Sequence, residues 1–416
     1  MKATSVASRR HLAGTPKPRM LDVFARRLVL GKLEQLKVGR IVVEDGVHSW
    51  SFGEAEDQAM LKATILVTDA AFYSDIAFGG SVGAGESFMQ SHWKCFDLVT
   101  LVRILLRNRH VLDGMETGFA RLTRPVQKLF HWINRNTREG ARRNISAHYD
   151  LGNDFFALWL DESMMYSSAI YDRPGMSLAE AQAARLDRIC EKLSLAPGDR
   201  VIEIGTGWGG FAIHAASKYG CHVTTTTISR EQYELARKRV EAAGVQDRVE
   251  LLLRDYRDLR GTYDKLVSIE MIEAIGWKQF DTYFEKCSEL LRPGGEMLIQ
   301  AITIADSQYE RAKRSVDFIQ RYIFPGSNLT SVGAMTQSIA TRTNLQLTGL
   351  EDIGLHYAQT LRDWRRNFLL KLPEVRALGY PEAFIRMWEY YLCYCEGGFM
   401  ERAISDVHLQ ARKPDS

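Results

Sequence analysis

The sequence has little cysteine, and what it has is dispersed. Six cysteines (Cys95, Cys190, Cys221, Cys287, Cys393 and Cys395) occur in 416 residues, and none forms a C-x-x-C pair. That argues against a zinc site, so no metal is expected, and it fits a reducing, cytoplasmic setting. No uninterrupted apolar run is long enough to span a bilayer. The stretch 1–19 carries basic side chains without the apolar core of a secretory signal, and is expected to be a flexible arm. Charge is nearly balanced: a net +3 is too small to imply a nucleic-acid partner. A hydrophobic content of 45% with 25% charged residues suits a soluble globular protein, and the length predicts two domains.

Glycine, by contrast, is concentrated where it matters. Val201 to Gly210 reads VIEIGTGWGG, a buried strand that stops in a glycine turn and enters a helix near Phe211. Glycines are needed where a ligand must approach backbone that a Cβ would block. The helix that follows offers its N-terminal N–H groups to the same ligand. The spacing is neither the wider dinucleotide fingerprint nor a P-loop. It looks like motif I of S-adenosylmethionine-dependent methyltransferases.

Around this stretch, residues 178–304 alternate helix and strand, which predicts an α/β fold with a doubly wound, mainly parallel sheet. Ligands bind beyond the carboxyl ends of such strands. On that topology Gly205, Thr227, Asp255 to Arg257, Glu270 to Glu273 and Gln300 to Ile302 fall on one edge. Carboxylates are seldom placed in apolar loops without a task. In IEMIEAIG, Glu273 is read as a site residue and Glu270 is left open.

The rest of the chain is organised around this unit. Residues 20–118 predict a smaller α+β domain: a helix, a hairpin about Asp45-Gly46, a strand, a short helix with a glycine-rich turn, and a closing helix. It carries no catalytic constellation, and Glu86 and His92 are read as structural. Residues 119–147 hold seven Arg and Lys between Arg121 and Arg143 against a single Glu139, interleaved with Leu129, Phe130, Trp132 and Ile133. That composition suits an anionic bilayer surface and equally a solvated linker. The aromatic run His148 to Asp172 is expected to cap the cofactor. Residues 305–330, with Val316, Phe318, Ile319, Tyr322 and Ile323, are expected to insert a lid over an acyl chain, and their pattern equally suits an ordinary surface helix. The C-terminal part is expected to be strand-rich and then helical.

The ordered set HYDLGNDFF, MMYSSAIY, VIEIGTGWGG, TTISREQ, LLRDYRDL, SIEMIEAIG, LRPGGEMLIQAIT, FIQRYIFPGSNLTS, HYAQTLRDW and MWEYYLCYCEGGF resembles the cyclopropane-fatty-acyl-phospholipid synthase family. FYSDIAFGGSVGAGESF resembles the N-terminal domain of its phospholipid-acting members. The resemblance implies a class I, Rossmann-like methyltransferase domain over 148–416 and a lipid-binding or dimerisation domain before it. It implies a cytoplasmic enzyme, peripheral at the inner face of the membrane and homodimeric, that acts on unsaturated phospholipid. For S-adenosylmethionine it implies Tyr166 and Ser167 from the cap, Gly205 and Gly207 at the methionine part, Thr227, Ile228 and Gln232 at the ribose and adenosine, and Tyr256 with Arg257 at the adenine. Ribose hydroxyls commonly meet an acidic residue after the second strand; Thr227-Ile228-Ser229 stands there, which leaves Gln232 to supply the polar contact.

The family reaction adds the sulfonium methyl to a cis double bond and closes a cyclopropane ring. The implied base for the carbocation is a bound bicarbonate, held at Ser168, Glu273, Gln300, Ile302 and Tyr357. Two of these depart from the family, which has Cys at Ser168 and His at Gln300. Glutamine cannot relay a proton as histidine can, so a methyl-branched or methylene product is the alternative. A non-catalytic lipid-binding protein is a third reading, against which the intact glycine stretch and Glu273 argue.

Overall fold

The computed structural model describes residues 19–46, 48–53, 61–112 and 152–415. The basic stretch 119–147, the arm up to residue 18 and the start of the aromatic cap (His148 to Leu151) lie outside the described residues. The chain divides into two compact units. One takes the N-terminal residues together with 317–322 and 372–403; the other takes 152–316, 323–371 and the C-terminal residues from 404.

The second unit is built on a seven-stranded sheet. Its strands are β5 (Arg200–Ile204), β6 (His222–Thr227), β7 (Val249–Leu253), β8 (Tyr263–Ile269), β9 (Leu291–Ile304), β10 (Gln346–Asp352) and β11 (Ile404–Arg412). Their order is β10-β11-β9-β8-β5-β6-β7. Strands β5 to β9 are parallel, and β11 runs antiparallel between β9 and β10. Alternate side chains face opposite sides of a strand. Val201, Val223, Val249 and Val267 therefore pack under the helices Leu178–Lys192, Gly210–Tyr219 and Arg230–Ala242. Ile202, Ile204 and Leu266 pack against the helices Phe280–Leu290 and Val332–Arg342 on the other face. After β5 the chain moves outward to β6 and β7, then returns to β8 on the opposite flank. The crevice between the ends of β5 and β8 is thus the topological switch point, where ligands of such sheets bind. The fold is the doubly wound class expected from the sequence.

Two local expectations need correction. The last segment, ISDVHLQAR, is strand β11 rather than helix, and it carries Asp406 and His408 into the sheet, both fully buried. Four consecutive buried positions hide the period-two pattern that identifies a half-buried strand.

The other correction lies in the first unit. Its sheet orders β1 (Arg40–Glu44), β2 (Ser49–Phe52), β3 (Lys62–Val67) and β4 (Trp93–Cys95) as β2-β1-β3-β4, and the Asp45-Gly46 hairpin pairs β1 with β2. The glycine-rich run is helical from Ala71 to Met89, broken only at Gly80 (φ 58°). Its glycines serve packing. A Cβ on Gly83 would collide with the Asp75 carbonyl, and one on Gly85 with the Phe318 ring. The helix Glu382–Met400, placed by the sequence reading with the catalytic domain, belongs to this first unit. Glu401 beyond it binds Arg103 and Arg107, each at 2.6 Å. Glu86 accepts from the Tyr322 hydroxyl at 2.5 Å and His92 pairs with Asp75 at 2.8 Å, both structural uses. Among the described residues no helix is long and apolar enough to cross a membrane.

Candidate active site

The glycine stretch leaves β5 into a tight turn. Gly205, Gly207 and Gly209 have φ of 107°, 52° and 86°, conformations L side chains rarely adopt. A Cβ on Gly207 would meet nothing within 4 Å, so its exposed side looks onto open space at the switch point. Gly210 opens the helix Gly210–Tyr219, and a Cβ there would strike Met165 of the capping segment. Backbone that can be approached closely, beside a helix N-terminus, fits a cofactor carrying a carboxylate and a ribose. Beneath the cradle, buried Glu203 accepts from Thr225 at 2.6 Å; burial pushes its carboxyl up to about 8.

The neighbouring strand ends supply polar groups. Thr227 donates to the Gln232 amide oxygen at 2.8 Å, leaving the amide NH2 as the end available to a ligand. Ile228 is half-buried beside them. Arg257 forms a two-pronged ion pair with Asp255 (2.8 and 2.6 Å), which the sequence reading placed on the ligand edge without giving it a role. Tyr256 turns into the core, its ring 5.6 Å from that of Tyr283. In the cap, Tyr166 stands among the rings of Phe156, Trp159, Phe324 and Trp364, with centroids 5.3 to 5.9 Å away. Ser167 accepts from buried Arg185 at 3.0 Å.

The five residues implied for an anion do converge, but on each other's neighbours. The Ser168 N–H donates to Glu270 Oε1 at 2.7 Å, the Gln300 amide to the same oxygen at 2.8 Å, and the Tyr357 hydroxyl to Glu270 Oε2 at 2.8 Å. The Ile302 N–H donates to Glu273 Oε1 at 2.6 Å. The Ser168 hydroxyl is turned away and donates to the Ala169 carbonyl. Every named donor is therefore committed to a protein group, and the set does not fit a separate bicarbonate.

Charge in this cluster is tightly balanced. Gln300 also donates to Asp406 at 2.8 Å, and its oxygen faces His408 at 3.2 Å. Burial keeps His408 well below the usual imidazole range, hence neutral. Burial pushes Glu270 above the carboxylate range, opposed by the Ser168 N–H and the Tyr357 hydroxyl, and burial, then the charge of Glu270, pushes Asp406 well above it. Burial, and then the charge of Glu270, lifts Glu273 to about 8. Its Oε2 is buried without a hydrogen-bond partner. Arg185, fully buried with Nε and Nη1 unpartnered, is the cation of the cluster. Sequence reasoning missed Arg185 and Asp406. A signal for the first existed: an arginine on the buried face formed by Ala181, Gln182, Leu186 and Ile189.

A parallel sheet with one antiparallel strand, a glycine cradle at its switch point and carboxylates across from it define a class I S-adenosylmethionine-dependent methyltransferase. Comparison with known proteins agrees. A family model described as mycolic acid cyclopropane synthetase matches residues 136–409. The chain is 39% identical to a tuberculostearic acid methyltransferase of Mycobacterium tuberculosis, over 86% of this chain and 84% of that protein. It is 38% identical to the cyclopropane-fatty-acyl-phospholipid synthase of Escherichia coli, over 82% of this chain and 86% of that one. A crystal structure of a mycolic acid cyclopropane synthase with SAH and CTAB superposes with a TM-score of 0.61 at 29% identity, covering 65% of this chain and 98% of that one. The chain belongs to the mycolic acid cyclopropane synthetase family.

Proposed function

We propose that this enzyme transfers the methyl carbon of S-adenosylmethionine to a cis double bond in an acyl chain of a phospholipid and that loss of a proton then closes a cyclopropane ring. The observation that carries this reading is the pair Glu270 and Glu273, buried carboxylates across from the glycine cradle, with the aromatic rings around Tyr166 beside them. An alkene supplies its own π electrons, so no side chain need be the nucleophile. What the reaction requires is anionic and aromatic surface to stabilise a carbocation, and an acceptor for its proton. When bound, the cofactor supplies the electrophilic methyl. Gly205 and Gly207 admit it by backbone, Gln232 and Thr227 hold its ribose side, and the cap from Tyr166 to Ser168 excludes water.

A methylene or methyl-branched chain is the second reading. It is favoured by Gln300, which cannot relay a proton, and by the similarity to a tuberculostearic acid methyltransferase. Incubation with a defined cis-monounsaturated phospholipid decides between them. A cyclopropane chain gains one CH2 and resists ozone. A methylene chain has the same mass and is cleaved by ozone, and a methyl-branched chain, which requires an added hydride donor in the assay, is two hydrogens heavier. An unaltered chain would refute both readings.

The substrate lies in a membrane, and the first unit offers a surface for it. Met20, Leu21, Phe24 and Leu28 form an exposed apolar stripe on the helix Met20–Leu33, beside Arg27. Such a stripe with basic neighbours suits an anionic bilayer surface. Phe24→Glu combined with Leu28→Glu should weaken sedimentation with anionic vesicles about tenfold and leave the melting temperature unchanged. If vesicle binding persists while light scattering shows a dimer falling to monomer, the stripe is instead a homodimer face.

A further inference from the structure

We infer that the carboxylate of Glu270 occupies the place of the bicarbonate and is the enzyme's own proton acceptor, so that the reaction needs no dissolved anion. The argument is geometric. Three of the groups implied for holding an anion, at Ser168, Gln300 and Tyr357, all donate to this one side chain at 2.7 to 2.8 Å. These donors come from the cap, from β9 and from the helix Gly354–Leu370, so no local turn accounts for their convergence. Three donors to two oxygens is what a carboxylate in an anion-binding cradle receives. The backbone supports a selected position. Glu270 has φ 47°, a left-handed conformation that costs a non-glycine residue free energy and that glycine would accept freely.

The departures at Ser168 and Gln300 then make sense together. Ser168 serves through its backbone N–H, so its side chain need not be a thiol. Gln300 presents one NH2 to two carboxylates, Glu270 and Asp406, while His408 fixes its oxygen. A histidine there could not donate to both from one nitrogen.

This inference rests on the methyl-transfer reading. In the chemical step, the S–CH3 bond breaks as the alkene π pair forms a C–C bond, leaving a cation on the adjacent carbon. A C–H bond of the new methyl then breaks. Its electron pair closes the ring, and the proton goes to a Glu270 oxygen. A methyl proton next to the cationic centre is strongly acidic, so a carboxylate cradled by three donors is basic enough to take it. The proton leaves to solvent after product release.

The test uses the full-length protein, labelled bicarbonate and two readouts. By NMR line broadening or calorimetry, the wild type should show no saturable bicarbonate binding, and Glu270→Gly should acquire it. In CO2-free buffer the wild type should keep its rate within about 2-fold. Glu270→Gly should lose about 100-fold, in the range of general-base deletions, and recover at least about tenfold with added bicarbonate or formate. Saturable binding or a stimulated rate in the wild type would overturn the inference, as would a Glu270→Gly enzyme that needs no anion. Because the binding readout needs no turnover, it judges the anion's place even if no methylated lipid forms, an outcome that counts against the methyl-transfer reading alone.

Discussion

Gly207→Val is expected to weaken S-adenosylmethionine binding by about 100-fold or more, equivalent to about 2.7 kcal/mol. Gly207 has φ 52° and open space on its Cβ side. A β-branched residue is strained in that conformation and would project into the volume where the cofactor must approach backbone. Gly244 is the proper control. It has φ 68°, and a Cβ there also meets nothing within 4 Å, but it closes the helix Arg230–Ala242 away from the strand ends. Gly244→Val carries a similar backbone cost with no effect on the cradle. Calorimetry should therefore separate them: both variants lose some melting temperature, and only Gly207→Val loses affinity. Equal affinities would remove Gly207 from the cofactor site.

Glu273→Gln should lower turnover by about 100- to 1000-fold while leaving cofactor affinity within about 3-fold. On the proposed reaction its charge would face the developing carbocation, and a fixed charge in a water-poor site is worth several kcal/mol. The pH dependence gives a second signature. The native carboxyl is raised to about 8 by burial and by Glu270, so turnover should climb through that pH as Glu273 ionises. The glutamine variant should lack that limb.

Stability runs the opposite way. A raised native value means that the folded state holds the proton more tightly than the unfolded chain, whose glutamates titrate near about 4.3. The resulting stability is complete below that pH and is lost as pH rises through about 8. Glu273→Gln removes this loss, so its melting temperature at pH about 9 should match or exceed the wild type. A variant that is slow only because it unfolds would show the reverse.

The glycine cradle and the alternating units were legible in the sequence because they rest on local patterns: a buried strand, a run of glycines, a helix start. Glu273 was legible as a carboxylate in an apolar loop. Glu270, three residues earlier in the same loop, stayed open between a site role and a structural one, because the local pattern does not decide it. Its meaning comes from donors at positions 168, 300 and 357, brought together only by the sheet and the cap. Asp406 was hidden for a related reason. It lies on β11, which is buried on both faces, is inserted between β9 and β10, and lacks the alternation that marks a strand. Arg185 was overlooked among helical surface charges, although its place on the buried face of Leu178–Lys192 marks it out. The glycine-rich run of the first unit misled in the opposite sense. Glycine usually breaks helices, and here Gly83 and Gly85 stay helical because close packing excludes any side chain.

The central claim is that the methyl carbon goes to an acyl double bond. It is tested most directly with S-adenosylmethionine carrying an isotopically labelled methyl group and vesicles of a phospholipid that has one saturated and one cis-monounsaturated chain. The account predicts label only in the unsaturated chain, at the former alkene carbons, with one S-adenosylhomocysteine formed per labelled chain. Label in the headgroup or in the saturated chain, or S-adenosylhomocysteine formed without labelled lipid, would contradict it.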